Sequence, residues 1–253
     1  MPAPLPSVTV CFPAYDEQDT IAGVLEEAHA LLAGAGFDYE ILVCDDGSTD
    51  RTPAIVDALA SRVPKMRILH HDRNLGIHDT FEHLYREATK TFVFLNSTDR
   101  QWDTRILLDM LPLTCDYDVV IASRIEKYYR VDRRFVSWGF NVVPRLLFGV
   151  WTYDAGAVKL VRREIIERFP LVSRSPFSEA ERLIRASRAG YRVLNRPTMT
   201  SPRRTGHARG ISGTLVKDAL FDVPRVWRAL RAESGSRAIV DEHTAETSHA
   251  DRP

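Results

Sequence analysis

An uninterrupted apolar run, Ile41 to Cys44, stops against two carboxylates, Asp45 and Asp46, then Gly47 and the hydroxyl pair Ser48 and Thr49. This step constrains the fold more than any other stretch of the chain. A continuous apolar run suits a strand covered on both faces. Such a strand delivers the residues after it to the carboxyl edge of a sheet, where open α/β folds bind ligands. Asp45 and Asp46 are placed there as acceptors for ribose hydroxyls or base N–H groups. Gly47 permits a tight turn, and Ser48 or Thr49 can cap the next helix. A plain helix-capping loop accounts for Ser48 to Asp50 but not for adjacent aspartates at a strand tip.

The same unit recurs along the first half. Ser7 to Phe12 reads as a buried strand closed by Pro13, and helical spacing of Ile21, Leu25, Ala28, Leu31 and Leu32 predicts a helix ending at Gly34 and Gly36. Thr52 reads as an N-cap with Pro53 at the first helical position. Met66 to His70 is a further strand, with His70 and His71 read as its end and not as a metal site, and a helix then runs to about Lys90. Thr91 to Leu95 is a strand whose tip is Asn96 to Trp102, and a short helix from Asp103 or Thr104 to Leu111 precedes a strand over Tyr117 to Ala122. Strands alternating with helices predict an α/β fold with a mostly parallel sheet flanked by helices.

The rhythm then changes. Phe135 to Trp151 is long, aromatic and apolar, interrupted by Pro144; Asp154 to Val161 reads as a strand, Ser178 to Ala189 as a helix and Gly190 to Arg196 as a last strand. A basic loop, Ser201 to Gly210, precedes a final helix opened by Ser212 or Thr214 and carrying Leu220, Val223, Val226, Trp227 and Leu230. The expectation is one domain over residues 1–232 and a disordered polar tail over 233–253.

Formal net charge is zero, so no overall field draws nucleic acid. The charge is segregated, however: Ala122 to Ala232 holds 23 basic against 9 acidic side chains. Cys11, Cys44 and Cys115 are an odd number without metal spacing and read as buried, reduced thiols of a cytoplasmic protein. Met1 to Pro6 has no basic or apolar leader character, and no apolar run is long enough to span a bilayer. Phe135 to Trp151, and the last helix with Lys217, Arg225, Arg228 and Arg231, could instead lie at a membrane interface, on its inner face.

Three strand tips carry acids or polar acceptors: Asp16 with Glu17, Asp45 with Asp46, and Asp99. No P-loop and no G-x-G-x-x-G is present, which argues against a dinucleotide oxidoreductase. The histidines lack zinc-ligand spacing, and no serine sits in a nucleophile elbow. Acids at strand tips with arginines downstream suit a nucleotide-sugar: acceptors for the nucleoside, cations for the diphosphate.

The series Pro13-Ala-Tyr-Asp-Glu17, Val43-Cys-Asp-Asp-Gly-Ser-Thr-Asp50, Arg73-Asn-Leu-Gly76 and Asp99-Arg-Gln101 resembles family 2 glycosyltransferases of GT-A fold. Ser123-Arg124, Lys159, Arg162-Arg163, Glu181, Gly190-Tyr-Arg192 and Arg204-Thr-Gly206 extend the resemblance toward the dolichyl-phosphate or polyprenyl-phosphate sugar synthases, over about Ser7 to Arg209. The resemblance implies that Pro13, Tyr15 and Glu17 line a nucleoside pocket and that Asp45 or Asp46 binds base or ribose. Asp99 would match the last aspartate of a D-x-D motif holding Mg²⁺ or Mn²⁺ against the diphosphate, with Gln101 beside the donor. Arg124 and Arg204 would meet phosphate oxygens, with Arg203 and Arg209 serving the acceptor phosphate and Glu181 near sugar or acceptor. Ser97 stands where the first D-x-D aspartate falls, Ile77-His78 replaces Lys-Gly, and Ala157-Val158-Lys159 replaces Gly-Phe-Lys.

The implied activity is inverting transfer of a sugar from a UDP- or GDP-linked donor to a polyprenyl phosphate. A saccharide or glycolipid hydroxyl is the alternative acceptor, and a nucleotide-sugar binder without catalysis the alternative of another class. Glu179 and Glu181 are the candidate bases; the plainer reading makes them a solvated helix face paired with Arg182 and Arg185.

Overall fold

The computed structural model describes residues 5–98, 100–125, 142–154, 156–199 and 217–233. Seven strands form one sheet, in the order β3-β2-β1-β4-β6-β5-β7. They are β1 Val8–Ala14, β2 Tyr39–Asp45, β3 Met66–His70, β4 Phe92–Leu95, β5 Val119–Ile121, β6 Lys159–Arg162 and β7 Val193–Asn195. The helices are α1 Ile21–Ala33, α2 Thr52–Ala60, α3 Ile77–Glu87, α4 Arg105–Met110, α5 at 142–148, α6 Arg163–Arg168, α7 Ser178–Arg188 and α8 at 217–233. A 3₁₀ turn, Leu111–Cys115, prolongs α4.

The apolar runs become strands because both faces of the sheet are covered. Val8, Val10, Phe12, Ile41, Val43, Phe92 and Phe94 share one core with α1, α2 and α4. Their neighbours Cys11, Leu42, Cys44, Val93 and Leu95 point to the opposite face, against Leu84, Tyr85 and Ala88 at the end of α3. Alternate residues thus serve two cores, so neither face is free for water. A third cluster joins Phe148 of α5, Phe177, Ala180 and Ile184 around α7, and Ala219, Val226 and Leu230 of α8.

Parallel pairing holds from β3 through β4, but β6 runs antiparallel to both β4 and β5. The strand expected over Asp154 to Val161 is therefore shorter and reversed in sense, beginning only at Lys159. Thr52 is the first residue of α2 and not its cap; Arg51 before it makes no side-chain cap bond, and the Thr52 N–H donates to Asp50 Oδ1 at 2.8 Å. The Thr52 hydroxyl, like that of Ser48, is used between loops instead. Cys11 and Cys44 are buried as expected, whereas Cys115 is exposed at the end of the 3₁₀ turn. Glu233, assigned to the tail, closes α8 and pairs with Arg185 of α7 at 2.7 Å; residues 234–253 lie outside those described, as do the expected caps Ser212 and Thr214 and the part of the apolar segment before 142.

Candidate functional site

The register sets the site. Ala14 and Asp45 are level across β1 and β2, and Cys11 is level with Leu95, so three strand ends open at one edge. Side chains then tie the loops beyond them. Ser48 Oγ accepts from the backbone N–H of Asp16 (2.9 Å), Thr52 Oγ1 from that of Glu17 (2.8 Å), and Asp16 Oδ1 from that of Thr49 (2.8 Å). Asp16 adopts a positive φ of 53°, tolerated by a short polar side chain and held by these bonds. Thr98 Oγ1 donates to the Pro13 carbonyl at 3.3 Å, drawing the β4 tip against the β1 tip. Pro13, Tyr15 and Glu17 therefore sit on a stapled edge between β2 and β4, each half-buried.

The paired aspartates are both internal. Asp45 (2% exposed) accepts from the backbone N–H of Ser48 at 3.2 Å and lies 3.2 Å from His70 Nδ1. Asp46 (4% exposed) accepts from the N–H groups of Leu75 and Gly76, both 2.9 Å, and lies 2.8 Å from His71 Nδ1. Turn and loop groups thus engage both acids, Asp46 with three partners and Asp45 with two. Beside them a Cβ on Gly47 would stand 2.3 Å from the Arg73 carbonyl carbon, so this glycine is what lets the second and third loops touch. Burial, with Asp46 and Asp45 nearby, pushes the Cys44 thiol up to about 12.

Gln101 and Trp102 follow the β4 tip, with Trp102 buried. The guanidinium carbon of Arg124 lies 5.0 Å from the Trp102 ring centroid. Arg124 Nη1 donates to Asp154 at 2.9 and 3.1 Å, and its Nη2 to the Gly156 carbonyl at 3.2 Å. Asp154 was not singled out in the sequence; an acid thirty residues from its partner leaves no periodic or motif signal.

Glu179 and Glu181 do not lie on a solvated face. Ser178 to Ala186 of α7 are all buried. Glu181, wholly buried, accepts from the N–H of Val172 (3.1 Å), the N–H and Oγ of Ser173 (2.8 and 2.6 Å) and Arg185 Nε (2.7 Å). Its acceptor sites are filled by the protein, so it is not placed as a general base or sugar contact. Glu179 is paired with Lys159 and accepts from Tyr85 Oη at 3.3 Å. Burial alone would raise its pKa; Lys159 and Arg182 outweigh burial and hold it below the ordinary glutamate value. Asp99, Arg203, Arg204 and Arg209 lie outside the described residues.

Residues 9–169 match the model of Glycosyl transferase family 2. The chain belongs to that family. This family 2 chain is 30% identical over 210 residues to Glycosyltransferase AglD of Haloferax volcanii, a match covering 78% of this chain and 33% of that protein. It is 27% identical over 169 residues to an undecaprenyl-phosphate 4-deoxy-4-formamido-L-arabinose transferase of Pseudomonas aeruginosa, covering 66% of this chain and 50% of that protein. It thus spans about a third to a half of the length of these relatives.

Among solved structures, glucosyl-3-phosphoglycerate synthase of Mycobacterium tuberculosis, in complex with Mn²⁺, UDP and glucosyl-3-phosphoglycerate, superposes with a TM-score of 0.68 at 17% identity, covering 87% of this chain and 80% of that one. The mannosyltransferase PcManGT of Pyrobaculum calidifontis, in complex with GDP-Man and Mn²⁺, gives 0.55 at 20% identity, covering 96% and 81%. At such identities the likeness establishes the GT-A fold. The sequence at the β4 tip of this family 2 chain supplies oxygen groups, the Ser97 hydroxyl and the Asp99 carboxylate. That chemistry fits a hard dication whose other ligands are phosphate oxygens and water.

Apolar side chains stand out on α5 and α8. Leu146 is 76% exposed, Leu220 65% and Phe221 61%, with Leu147 and Trp151 about half exposed. Cations accompany them: Arg145 lies 4.0 Å over the Trp151 ring and Arg231 3.9 Å over Trp227. Among the described residues no helix is long and apolar enough to cross a membrane.

Proposed function

We propose that this chain moves a sugar from a nucleoside-diphosphate sugar to a polyprenyl phosphate, with inversion at the anomeric carbon. The observation that carries the acceptor is the state of the two candidate bases. Both are buried: Glu181 is bonded through both oxygens to the protein's own donors, and Glu179 is bonded through Oε2 to Lys159 and Tyr85, with its Oε1 3.8 Å from Arg182 Nε. A hydroxyl acceptor needs a base to take its proton; a phosphate monoester is already anionic near neutral pH and needs none. The undecaprenyl-phosphate transferase among the relatives, and the exposed apolar and cationic side chains of α5 and α8, support a lipid-borne acceptor at the cytoplasmic face of a membrane.

In this reading Pro13, Tyr15 and Glu17 line the nucleoside pocket. Asp45 is favoured over Asp46 for base or ribose, because Asp46 meets three internal partners and Asp45 two. Gln101 lies beside the sugar, Arg124 positions Trp102 from its anchor on Asp154, and Arg203, Arg204 and Arg209 meet phosphate oxygens. Mg²⁺ or Mn²⁺, held by Asp99 with Ser97 nearby, would neutralise charge on the departing diphosphate. The acceptor phosphate oxygen forms the new bond to the anomeric carbon from the face opposite the diphosphate, whose bond to that carbon breaks. The body over residues 5–233 would be one catalytic unit.

The test incubates the full chain with UDP- and GDP-linked sugars and Mn²⁺, offering undecaprenyl phosphate or a saccharide, and extracts the lipid phase. Sugar appearing in the lipid phase with wild type but not with Asp99→Ala is the expected result. Sugar appearing on the saccharide overturns the acceptor assignment. Ser97 favours one second reading, a binder that has lost turnover; tight nucleoside-diphosphate binding by both proteins with no product from either would establish it.

A further inference from the structure

Beside Asp46, three side chains from three elements converge. Cys44 comes from the end of β2, His71 from the residue just beyond β3, and His83 from α3. Their ligand atoms all lie within 4.8 Å of one another. His71 Nε2 is 3.6 Å from Cys44 Sγ and 2.8 Å from His83 Nδ1. The opposite ring nitrogen, His71 Nδ1, is 2.8 Å from Asp46 Oδ1. We propose that Cys44, His71 and His83 form a binding site for a transition-metal ion of the Zn²⁺ class, with Asp46 as the outer partner that orients His71.

A neutral His71 ring that gives its Nδ1 proton to Asp46 keeps a lone pair at Nε2, on the side of the Cys44 thiol and His83 Nδ1. A cation placed among the three atoms would take up the lone pairs of both imidazoles and of the Cys44 thiolate. The carboxylate behind a ligating imidazole is the usual outer arrangement at metal-bound histidines, since it fixes the tautomer and raises ligand basicity.

The two distances at His71 come close to those of a tetrahedral ion. Zn–N bonds of about 2.0–2.1 Å and a Zn–S bond of about 2.3 Å require about 3.3 Å between nitrogens and about 3.6 Å from nitrogen to sulfur. The sulfur-to-His71 distance already agrees. The two imidazoles, whose planes lie within 7° of parallel, must open by roughly half an ångström, which rotation of the half-buried His83 side chain can provide. The fourth position is left to water. Sulfur and imidazole select Zn²⁺ or Co²⁺ over Mg²⁺, so this site differs in kind from the oxygen donors at the β4 tip. Binding releases the Cys44 proton to solvent. Because Asp46 also holds the N–H groups of Leu75 and Gly76, an ion on His71 would stiffen the loop that closes against Gly47.

The experiment strips the full chain with a chelator and titrates it with Co²⁺, following near-ultraviolet absorption. A one-to-one thiolate-to-cobalt charge-transfer band that Zn²⁺ abolishes and Mg²⁺ does not is expected. The band should persist in Cys115→Ser and in Asp99→Ala and vanish in Cys44→Ser. His83→Gln, at a half-buried position with folding checked by circular dichroism, should bind Co²⁺ at least about tenfold more weakly. Absence of the band at saturating Co²⁺, or a band of equal affinity in His83→Gln, overturns the proposal.

Discussion

Glu181 shows how little a residue's type says about its task. Its position in an acidic motif marks it as a base, yet its contacts make it a clamp joining Val172, Ser173 and Arg185. Replacing it with Gln leaves Arg185, itself 3% exposed, short of one of its two carboxylate partners. Breaking a buried pair costs about 3–5 kcal/mol, and Glu233 reduces this toward the lower figure. In a chain of this size the midpoint of thermal unfolding should fall by roughly 6–12 °C. Transfer per folded molecule should drop by far less than the about 10²-fold loss that removing a general base brings; a larger drop would restore Glu181 to the chemistry. The position of Pro13, Tyr15 and Glu17 at the sheet edge was legible, because a strand followed by Pro and acids fixes their place. The task of Asp45, Asp46 and Glu181 was not legible, because whether a carboxylate meets a ligand or a backbone N–H depends on which loop folds over it.

Elements were easiest to read where burial imposes a period. β1 to β4 and α1 to α3 announce themselves because each strand serves two cores and each helix one. β6 does not, since nothing in Asp154 to Val161 marks where pairing begins or which way the partner runs. The capping hydroxyls misled for a related reason: Ser48 and Thr52 could serve their own helix or the neighbouring loop, and the sheet register chose the loop. That contact makes Gly47 sensitive. Gly47→Ala puts a methyl into the Arg73 backbone at a φ of +67°, so instead of the slight stabilisation of an unstrained glycine replacement it should destabilise by more than about 1 kcal/mol, and denaturant unfolding will measure it. His70 ties β3 to α2 through Asp57 as well as Asp45. Burial would lower its pKa, but the two carboxylates outweigh burial and raise it. A raised folded value means the stabilisation is full below the unfolded histidine value and disappears as pH climbs through the folded one. His70→Gln should therefore flatten the fall in thermal stability as pH rises above the ordinary histidine value; an unchanged pH profile would show the pair to be idle.

At the scale of the whole molecule the charge segregation seen in the sequence acquires a location. Three cations of the second half, Arg145, Lys217 and Arg231, lie over Trp151, Phe221 and Trp227, beside the exposed leucines of α5 and α8. Co-sedimentation with vesicles rich in phosphatidylglycerol should be strong at low salt and weaken as screening rises. Leu220→Glu with Phe221→Glu should reduce it at least about tenfold, given about 1.5–3 kcal/mol per large apolar side chain withdrawn from water; unchanged sedimentation would assign those side chains elsewhere. Strand order has a different outcome, one that concerns the birth of the molecule. On a ribosome, β1 to β4 find their partners as they emerge, each beside one already made. β5 has no such neighbour: among the described residues it pairs only with β6 and β7, both synthesised later. A nascent chain halted near residue 125 would hold an orphan strand and, on β4, an open edge of four apolar residues. Release at that point should yield aggregates, whereas extension past Arg162 lets a single reversed strand fill the gap between β4 and β5.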